Sequence, residues 1–231
     1  MKKQATTFKG FTPEAIQFFN DLKENNYKEW FDEHKPIYEK EILEPLKALV
    51  TALSPVMHNI DAAFELRPHR AISRIYRDIR FSKNKAPYKT AMWFTFQIPV
   101  SRDIWTDYPG YFMELRGDGY TYGMGLFAPK KKVMDAFREE ISYDAEEFKR
   151  VTQKTVLDRG YTIGGEEYKR PIASELPEYY QQWIQRKGVY VFKDKPIGKE
   201  LYSDELVKQL SEDFQALEWL YNFMKEVSTE I

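Results

Sequence analysis

The chain has 231 residues, of which 42% are hydrophobic and 16% aromatic, and its formal net charge is −1. This composition excludes an intrinsically disordered chain, because disordered segments have too few apolar and aromatic residues to bury a core. The lack of cysteine excludes disulfides, thiol nucleophiles and cysteine-ligated metal centres. No apolar run is long enough for a membrane span and the N-terminus does not resemble a signal peptide, so we expect a cytoplasmic protein without a membrane partner.

Helical patterns dominate the beginning of the chain. Thr12 followed by Pro13 is typical of a helix start, and apolar residues at helical spacing continue to about Asn25. A longer helical pattern follows from Trp30 to Leu53, and we expect Pro45 to kink it.

Strand patterns dominate the middle of the chain. Residues 92–100 are rich in aromatic and β-branched side chains, and residues 111–127 predict a hairpin with Asp118 and Gly119 at its turn. Within that hairpin, Gly123 and Gly125 lie two positions apart and leave a strip of bare backbone on one face. A ligand, a helix or an aromatic ring could approach such a strip closely.

Helical patterns return in the last part of the chain, after Pro129 and again from Asp144, and residues 189–192 indicate one more strand. Ser203 is a good N-cap, and the apolar stripe that follows it predicts a long C-terminal helix. Together these elements predict a single α+β domain over residues 1–231. It has an antiparallel β-sheet flanked by helices, an N-terminal helical segment and a long C-terminal helix.

Positive charge is concentrated in residues 67–89. This segment contains eight of the chain's 35 basic residues and one acidic residue, Asp78, so it carries +7 while the rest of the chain carries −8. Such a concentration requires a counter-charge, which is either a bound anion or the protein's own carboxylates. The sequence leaves both alternatives open.

The spacing of the basic residues gives this segment a predicted geometry. Arg67, Arg70, Arg74 and Arg77 recur at offsets that collect them on one face of a short helix. An extended strand would instead put Arg74 with Tyr76 and Asp78 on one face and Arg77 on the other, which is a less coherent pattern. Residues 81–90 contain turn-forming residues and predict an ordered loop that presents lysines.

The residue types point to a phosphorylated ligand as the anion. The planar guanidinium of arginine can hold a phosphate through two hydrogen bonds, and lysine adds mobile positive charge. The candidate ligand-binding residues are Arg74, Arg77, Arg80, Lys83, Lys85, Lys89 and Arg116. Nucleic acid is a subordinate candidate, because proteins dedicated to nucleic acid tend to be basic throughout the domain.

No reaction or cofactor is indicated by the sequence. Asp78, Glu114 and His34 are weak candidates for acid-base catalysis, and the three histidines lack the spacing of metal ligands. Lys130 and the two lysines after it occupy a predicted helix start, where an anion would be favoured, although a solvated face is the preferred explanation.

The alternative to a ligand site is an internal ion-pair network. Asp78 and acids from elsewhere, such as Asp32 and Glu33, would then neutralise the arginines and help to specify the fold. In that case the protein would be a structural or partner-binding domain with exposed aromatic contact residues. The sequence does not indicate an oligomeric state.

The order of several motifs resembles a known family. The motifs are residues 25–35, the basic run 74–90, the glycine-rich segment before Pro129, and residues 169–171. In this order they resemble the family called domain of unknown function 2461. The resemblance implies a widespread single-domain soluble protein and supplies no reaction, substrate or cofactor. Asn84 stands where this family usually has aspartate, which argues against a carboxylate role at that position.

Overall fold

The structure is a computed structural model that describes residues 7–80 and 83–229. It confirms the predicted α+β class with an antiparallel sheet. The helices are α1 (Pro13–Glu24), α2 (Lys28–Ile37), α3 (Glu44–Ile60), α4 (Pro68–Ala71), α5 (Lys131–Tyr143), α6 (Ala145–Thr152), α7 (Glu178–Ile184), α8 (Glu205–Ala216) and α9 (Glu218–Thr229). The strands are β1 (Ala91–Phe96), β2 (Gly110–Arg116), β3 (Gly119–Leu126), β4 (Thr162–Gly164) and β5 (Val189–Pro196), in the sheet order β1-β2-β3-β5-β4.

The N-terminal helices form as the sequence predicts, with one irregularity. The Thr12 hydroxyl accepts a hydrogen bond from the Ala15 N–H group and caps α1. A π-helical segment, Tyr38–Leu43, joins α2 to α3, and Pro45 follows it in the first turn of α3. The expected irregularity therefore immediately precedes Pro45, where the Glu44 N–H group donates to the Glu39 carbonyl five residues earlier and the helix continues.

The chain divides into two compact units by its internal contacts. The first comprises the described parts of Met1–Phe96, Phe112–Thr121 and Asp194–Glu212. Its core contains apolar side chains of α1 and α3 together with Phe94 and Phe96 of β1, and α3 contacts both α4 and β1. The single-domain organisation of the whole chain stays a prediction.

The second unit comprises Gln97–Tyr111, Tyr122–Lys193 and the described part of Asp213–Ile231. Aromatic rings dominate its core, where Phe148 packs edge-on against both Phe137 and the fully buried Trp183. The predicted long C-terminal helix is present over α8 and α9, with a single turn residue, Leu217, between them.

The predicted hairpin forms from β2 and β3, but its turn is one residue earlier than expected. β2 ends at Arg116 and β3 begins at Gly119, so Gly117 and Asp118 form the turn. A Cβ atom on Gly123 would lie 1.9 Å from the Val191 carbonyl oxygen of β5. The close approach expected at the glycine strip is thus made by the backbone of a strand, and the strip does not serve as the floor of a ligand site.

Candidate functional site

The basic segment does not form the predicted arginine-lined helix. Helix α4 ends at Ala71, and the chain is extended from Ile72 onward. Tyr76 pairs with Tyr88 in an antiparallel bridge, and the Arg77 N–H group donates to the Pro87 carbonyl at 2.8 Å. The helical prediction is wrong because spacing alone ignores the repulsion between arginines on one helix face. In the extended form, pairing with residues 87–94 provides hydrogen-bond partners for the backbone N–H and C=O groups.

Extended backbone gives the segment the alternation of a strand. Ile75 is buried, whereas its neighbours Arg74 and Tyr76 are exposed, and Arg77 is half-buried. The extended alternative therefore describes this part of the chain better than the helical one.

The return half of the segment is anchored to α2 and to the short turn before it. The side chain of Asn26 donates to the Tyr88 carbonyl and accepts from the Tyr88 N–H group, each at 3.0 Å. The Tyr88 ring stacks on Phe31 with 4.0 Å between ring centroids. Residues 81–82 of the predicted loop lie outside the described residues. These contacts fix the backbone on which Lys89 is carried.

A cavity of about 370 Å³ lies between the two halves of this segment, and we call it the cationic pocket. Its lining residues are Arg74, Tyr76, Arg77, Asp78, Arg80 and Lys89. Four cations and one carboxylate thus line one cavity. The structure brings together four of the seven predicted ligand-binding residues, with the acid-base candidate Asp78 among them.

The carboxylate in the cationic pocket already has a partner. Asp78 accepts two hydrogen bonds from the Arg80 guanidinium, at 3.0 and 2.7 Å. These bonds, with the Arg80 N–H group and the charge of Arg74, lower the pKa of Asp78 to about 2 against slight desolvation. Arg74, Arg77 and Lys89 have no carboxylate within 4.0 Å among the described residues. The pocket therefore holds three cations whose charge the described carboxylates do not pair.

Lys89 is held in place by neutral groups. Its ammonium nitrogen donates to the Arg74 carbonyl oxygen at 2.6 Å and lies 4.1 Å from the centroid of the Trp93 ring. Burial, followed by repulsion from Arg74 and Arg77, lowers the pKa of Lys89. The lowered pKa of Lys89 thus reflects loss of hydration first and the two neighbouring cations second.

The guanidinium group of Arg77 makes few hydrogen bonds with the described residues. One of its terminal nitrogens donates to the Tyr88 carbonyl at 3.3 Å, which is a long hydrogen bond. Its Nε is buried without a hydrogen-bond partner in the described part of the chain. Such a group costs about 1–3 kcal/mol when it is left unsatisfied. An anion at the guanidinium would supply acceptors that the described residues do not.

A second cavity, of about 390 Å³, adjoins the first, and we call it the apolar pocket. It shares Arg74 and Tyr76 with the cationic pocket. Its remaining wall comes from α2, the π-helical segment, α3, α4 and the start of the extended segment. Local sequence patterns do not predict this pocket, because its wall residues come from five different elements of the chain.

A comparison with protein families decides the chain's relationship. The model of DUF2461, described as a conserved hypothetical protein, matches residues 14–223. The chain belongs to the DUF2461 family. The match includes every residue that lines the two pockets. A comparison with curated proteins gave no match to this DUF2461 chain.

Three predicted ligand residues of this DUF2461 member do not line the cationic pocket. Lys85 donates to the Ile79 carbonyl at 2.9 Å, and Lys83 is exposed. Arg116 donates to Asp118 at 3.0 Å and to Asp194 at 2.8 Å. Arg116 thus belongs to a separate ion-pair cluster.

The other two acid-base candidates of the DUF2461 chain also lie outside the cationic pocket. Glu114 lies 3.4 Å from a terminal nitrogen of Arg116 and joins its cluster. The His34 ring stacks on Trp30 at 4.0 Å, and its Nδ1 lies 2.8 Å from the Trp30 carbonyl oxygen. Asp32, proposed as a partner for the arginines, pairs with Lys28 instead.

The lysines at the start of α5 have counter-charges nearby. The buried Asp107 carboxylate accepts from the Lys130 N–H group at 2.7 Å and lies 2.9 Å from the Lys130 ammonium nitrogen. Lys131 pairs with Asp135 at 2.6 Å. These two carboxylates explain the lysines of this helix start without a visiting anion.

The described residues of the DUF2461 chain lack two further features, a metal site and a membrane-spanning helix. In residues 7–80 and 83–229, no group of three or more histidine, aspartate or glutamate side chains is arranged to hold a metal ion. Over the same residues, each helix is too short or too polar to cross a bilayer.

Proposed function

We propose that the protein binds a phosphorylated or otherwise anionic small molecule in the cationic pocket. Arg74, Arg77 and Lys89 would contact the anion, and Arg80 would add charge from its pair with Asp78. The observation that supports the proposal most directly is that these first three cations share a cavity in which the described carboxylate, Asp78, pairs with Arg80 and not with them. Guanidinium and ammonium groups in such an arrangement favour phosphate.

The competing interpretation is an internal ion-pair network, and part of the segment supports it. Arg67 pairs with Glu65, and Arg80 pairs with Asp78. It does not account for Arg74, which is exposed and has no ion pair among the described residues, or for the buried Nε of Arg77. A network that served only the fold would leave fewer such groups unsatisfied.

The size of the cationic pocket favours a small molecule over a nucleic-acid strand. Its six lining residues come from one short stretch, 74–89, whereas strand binding needs a groove that follows several phosphates. The proposal keeps the cytoplasmic location that the sequence predicts.

Thermal unfolding of the purified protein tests the proposal. We expect inorganic phosphate or a nucleotide to raise the melting temperature with concentration. At a ligand concentration of 100 times the dissociation constant, binding stabilises the folded state by about 2.7 kcal/mol. The shift should shrink at high salt, because screening weakens the attraction between exposed charges. Short oligonucleotides should give no larger shift than their constituent nucleotide. A flat response to all of these anions would contradict the proposal.

A pair of variants tests where the anion binds. Arg74→Gln should abolish the shift with little change in intrinsic stability, because the Arg74 side chain is exposed and makes no ion pair with a described residue. Arg102→Gln is the matched control, since Arg102 is also exposed and the net charge changes equally. Equal losses in both variants would indicate a nonspecific effect of charge and would count against the pocket.

A further inference from the structure

We propose that the ligand is a phosphate monoester with an aromatic body. Its phosphate would occupy the cationic pocket and its ring the apolar pocket. This inference rests on the proposed function and adds the chemical class of the ligand.

The first step is the continuity of the two cavities. Arg74 and Tyr76 line both of them, so the cavities adjoin at two exposed side chains that one ligand would span. Each cavity lies at the lower end of the volume range of small-molecule sites. An inorganic anion would use only one of them, whereas a monoester with a compact body would use both.

The second step is the aromatic character of the shared wall. Tyr76 is 57% exposed, which is unusual for a ring that pairs with two others. Its ring centroid lies 6.2 Å from that of Phe31 and 5.6 Å from that of Tyr88. A planar ring that entered the apolar pocket would extend this cluster and cover the exposed face of Tyr76. Aromatic pairs at such distances are favourable beyond the apolar area that they bury.

The third step is a polar group inside the apolar pocket. Tyr38 is 8% exposed and lines the cavity. Burial, followed by the neighbouring Tyr76 and Glu39, raises the pKa of Tyr38 to about 12, so the hydroxyl keeps its proton at neutral pH. A protonated phenol can both donate and accept a hydrogen bond, which a heterocyclic ring can return and an alkyl chain cannot.

The charge arrangement completes the argument for a monoester. Arg74 stands at the junction, and Arg77 and Lys89 lie on the side of the cationic pocket only. The two lysines of the apolar pocket are engaged elsewhere, Lys35 with Glu39 and Lys47 with Glu44. Positive charge is therefore available at one end of the combined cavity, which matches a ligand charged at one end.

Isothermal titration with matched probes tests this inference. Methyl phosphate and phenyl phosphate carry the same charged group and differ in the ring, and adenosine monophosphate adds a heterocycle. We expect phenyl phosphate to bind at least tenfold more tightly than methyl phosphate, and adenosine monophosphate at least as tightly as phenyl phosphate. Phenol, which lacks the phosphate, should bind far more weakly than phenyl phosphate.

Variants in the apolar wall locate the ring. Tyr76→Ala should reduce the preference for phenyl over methyl phosphate, measured as the ratio of the two affinities, to less than threefold. Tyr143→Ala is the matched control, because Tyr143 is 88% exposed and does not line the apolar pocket. Leu43→Gln tests the same wall from the π-helical segment if Tyr76→Ala proves unstable.

The outcomes separate the two proposals. If methyl and phenyl phosphate bind equally and Arg74→Gln removes both, the aromatic ligand is wrong and the anion site stands. If phenol binds as tightly as phenyl phosphate, the aromatic monoester is also wrong. If none of the phosphate probes binds, the anion site itself is wrong and this inference falls with it.

Discussion

The ammonium group of Lys89 donates a hydrogen bond to the backbone carbonyl of Arg74, across the paired halves of the basic segment. The Lys89 N–H group donates to the Ile75 carbonyl at 2.8 Å, so backbone and side chain both join the two halves. A lysine that bonds to a carbonyl keeps its whole charge. The contact therefore orders the cationic pocket without neutralising it.

Asp78 should oppose anion binding, because it is the carboxylate that lines the cationic pocket. We expect Asp78→Asn to increase the affinity for phosphate about threefold, which corresponds to the 0.5–1 kcal/mol typical of exposed charge interactions. Asp118→Asn is the control, since Asp118 is exposed and pairs with Arg116. Titration calorimetry of both variants measures the effect, and a weaker affinity in Asp78→Asn would mean that the carboxylate holds the ligand.

The carboxyl group of Asp78 should titrate at about pH 2. Since this pKa lies below the usual value of about 3.9, the folded state gains stability from the carboxylate above that usual value. The gain is lost as the pH falls through about 2. Carboxyl-detected NMR should place the midpoint there, and Arg80→Gln should return it towards about 3.9. An unchanged midpoint in Arg80→Gln would contradict this cause, and Arg150→Gln serves as the control.

Lys89 should make anion binding depend on pH in the alkaline range. Its pKa is lowered from the usual value of about 10.4, so sulfate affinity should fall as the pH rises through the lowered pKa. In the absence of anion the unfolded chain holds this proton more tightly, so the Lys89 contribution to stability increases with pH over the same interval. Lys89→Met should remove the alkaline fall in sulfate affinity.

Lys28→Met is the matched control for that experiment. Lys28 is exposed, and a hydrogen bond with Asp32 raises its pKa. Its removal should leave the pH dependence of sulfate affinity unchanged. If both variants lose the dependence, its origin is the general charge of the protein rather than Lys89.

The buried Asp213 should behave as a structural group. It is 5% exposed and accepts hydrogen bonds from the Tyr122 hydroxyl, from Arg159 and from Lys193. These partners lower the pKa of Asp213 even though burial opposes them. Asp213→Asn leaves buried positive charge behind and should reduce the free energy of unfolding by about 3 kcal/mol.

Chemical denaturation measures this loss. Asp194→Asn is the control, because the Asp194 side chain is 60% exposed and its ion pair with Arg116 should contribute less than about 1 kcal/mol. Equal losses in the two variants would contradict the structural role of Asp213. The anion-induced rise in melting temperature should persist in both.

Local signals in the sequence predicted much of the fold. The cap at Thr12 and the apolar stripe after Ser203 involve residues within one or two helical turns, and both helices form. The hairpin was also found, although its turn is shifted by one residue because two neighbouring glycines, Gly117 and Gly119, permit either position.

The geometry of the candidate site could not be predicted in the same way. The extended form of the basic segment depends on pairing with residues 87–94, and spacing within the segment carries no information about that partner. The charge count still located the cationic pocket, because the segment has eight basic residues and one acidic residue, Asp78. The sequence did not indicate that Tyr76 lines the cationic pocket or that the Trp93 ring supports Lys89. An isolated aromatic residue in a strand is usually a packing residue.

The π-helical segment 38–43 determines the rotational phase between α2 and α3. A π-helical turn contains an extra residue relative to an α-helical turn. Phe31 and Lys35 precede this segment and Lys47 follows it, yet all three face the apolar pocket. Deletion of one residue here would favour a continuous α-helix and rotate one flank against the other by about 100°. The apolar pocket thus depends on the number of residues in this stretch. A deletion that removed no lining residue would still turn the side chains of one flank away from the cavity.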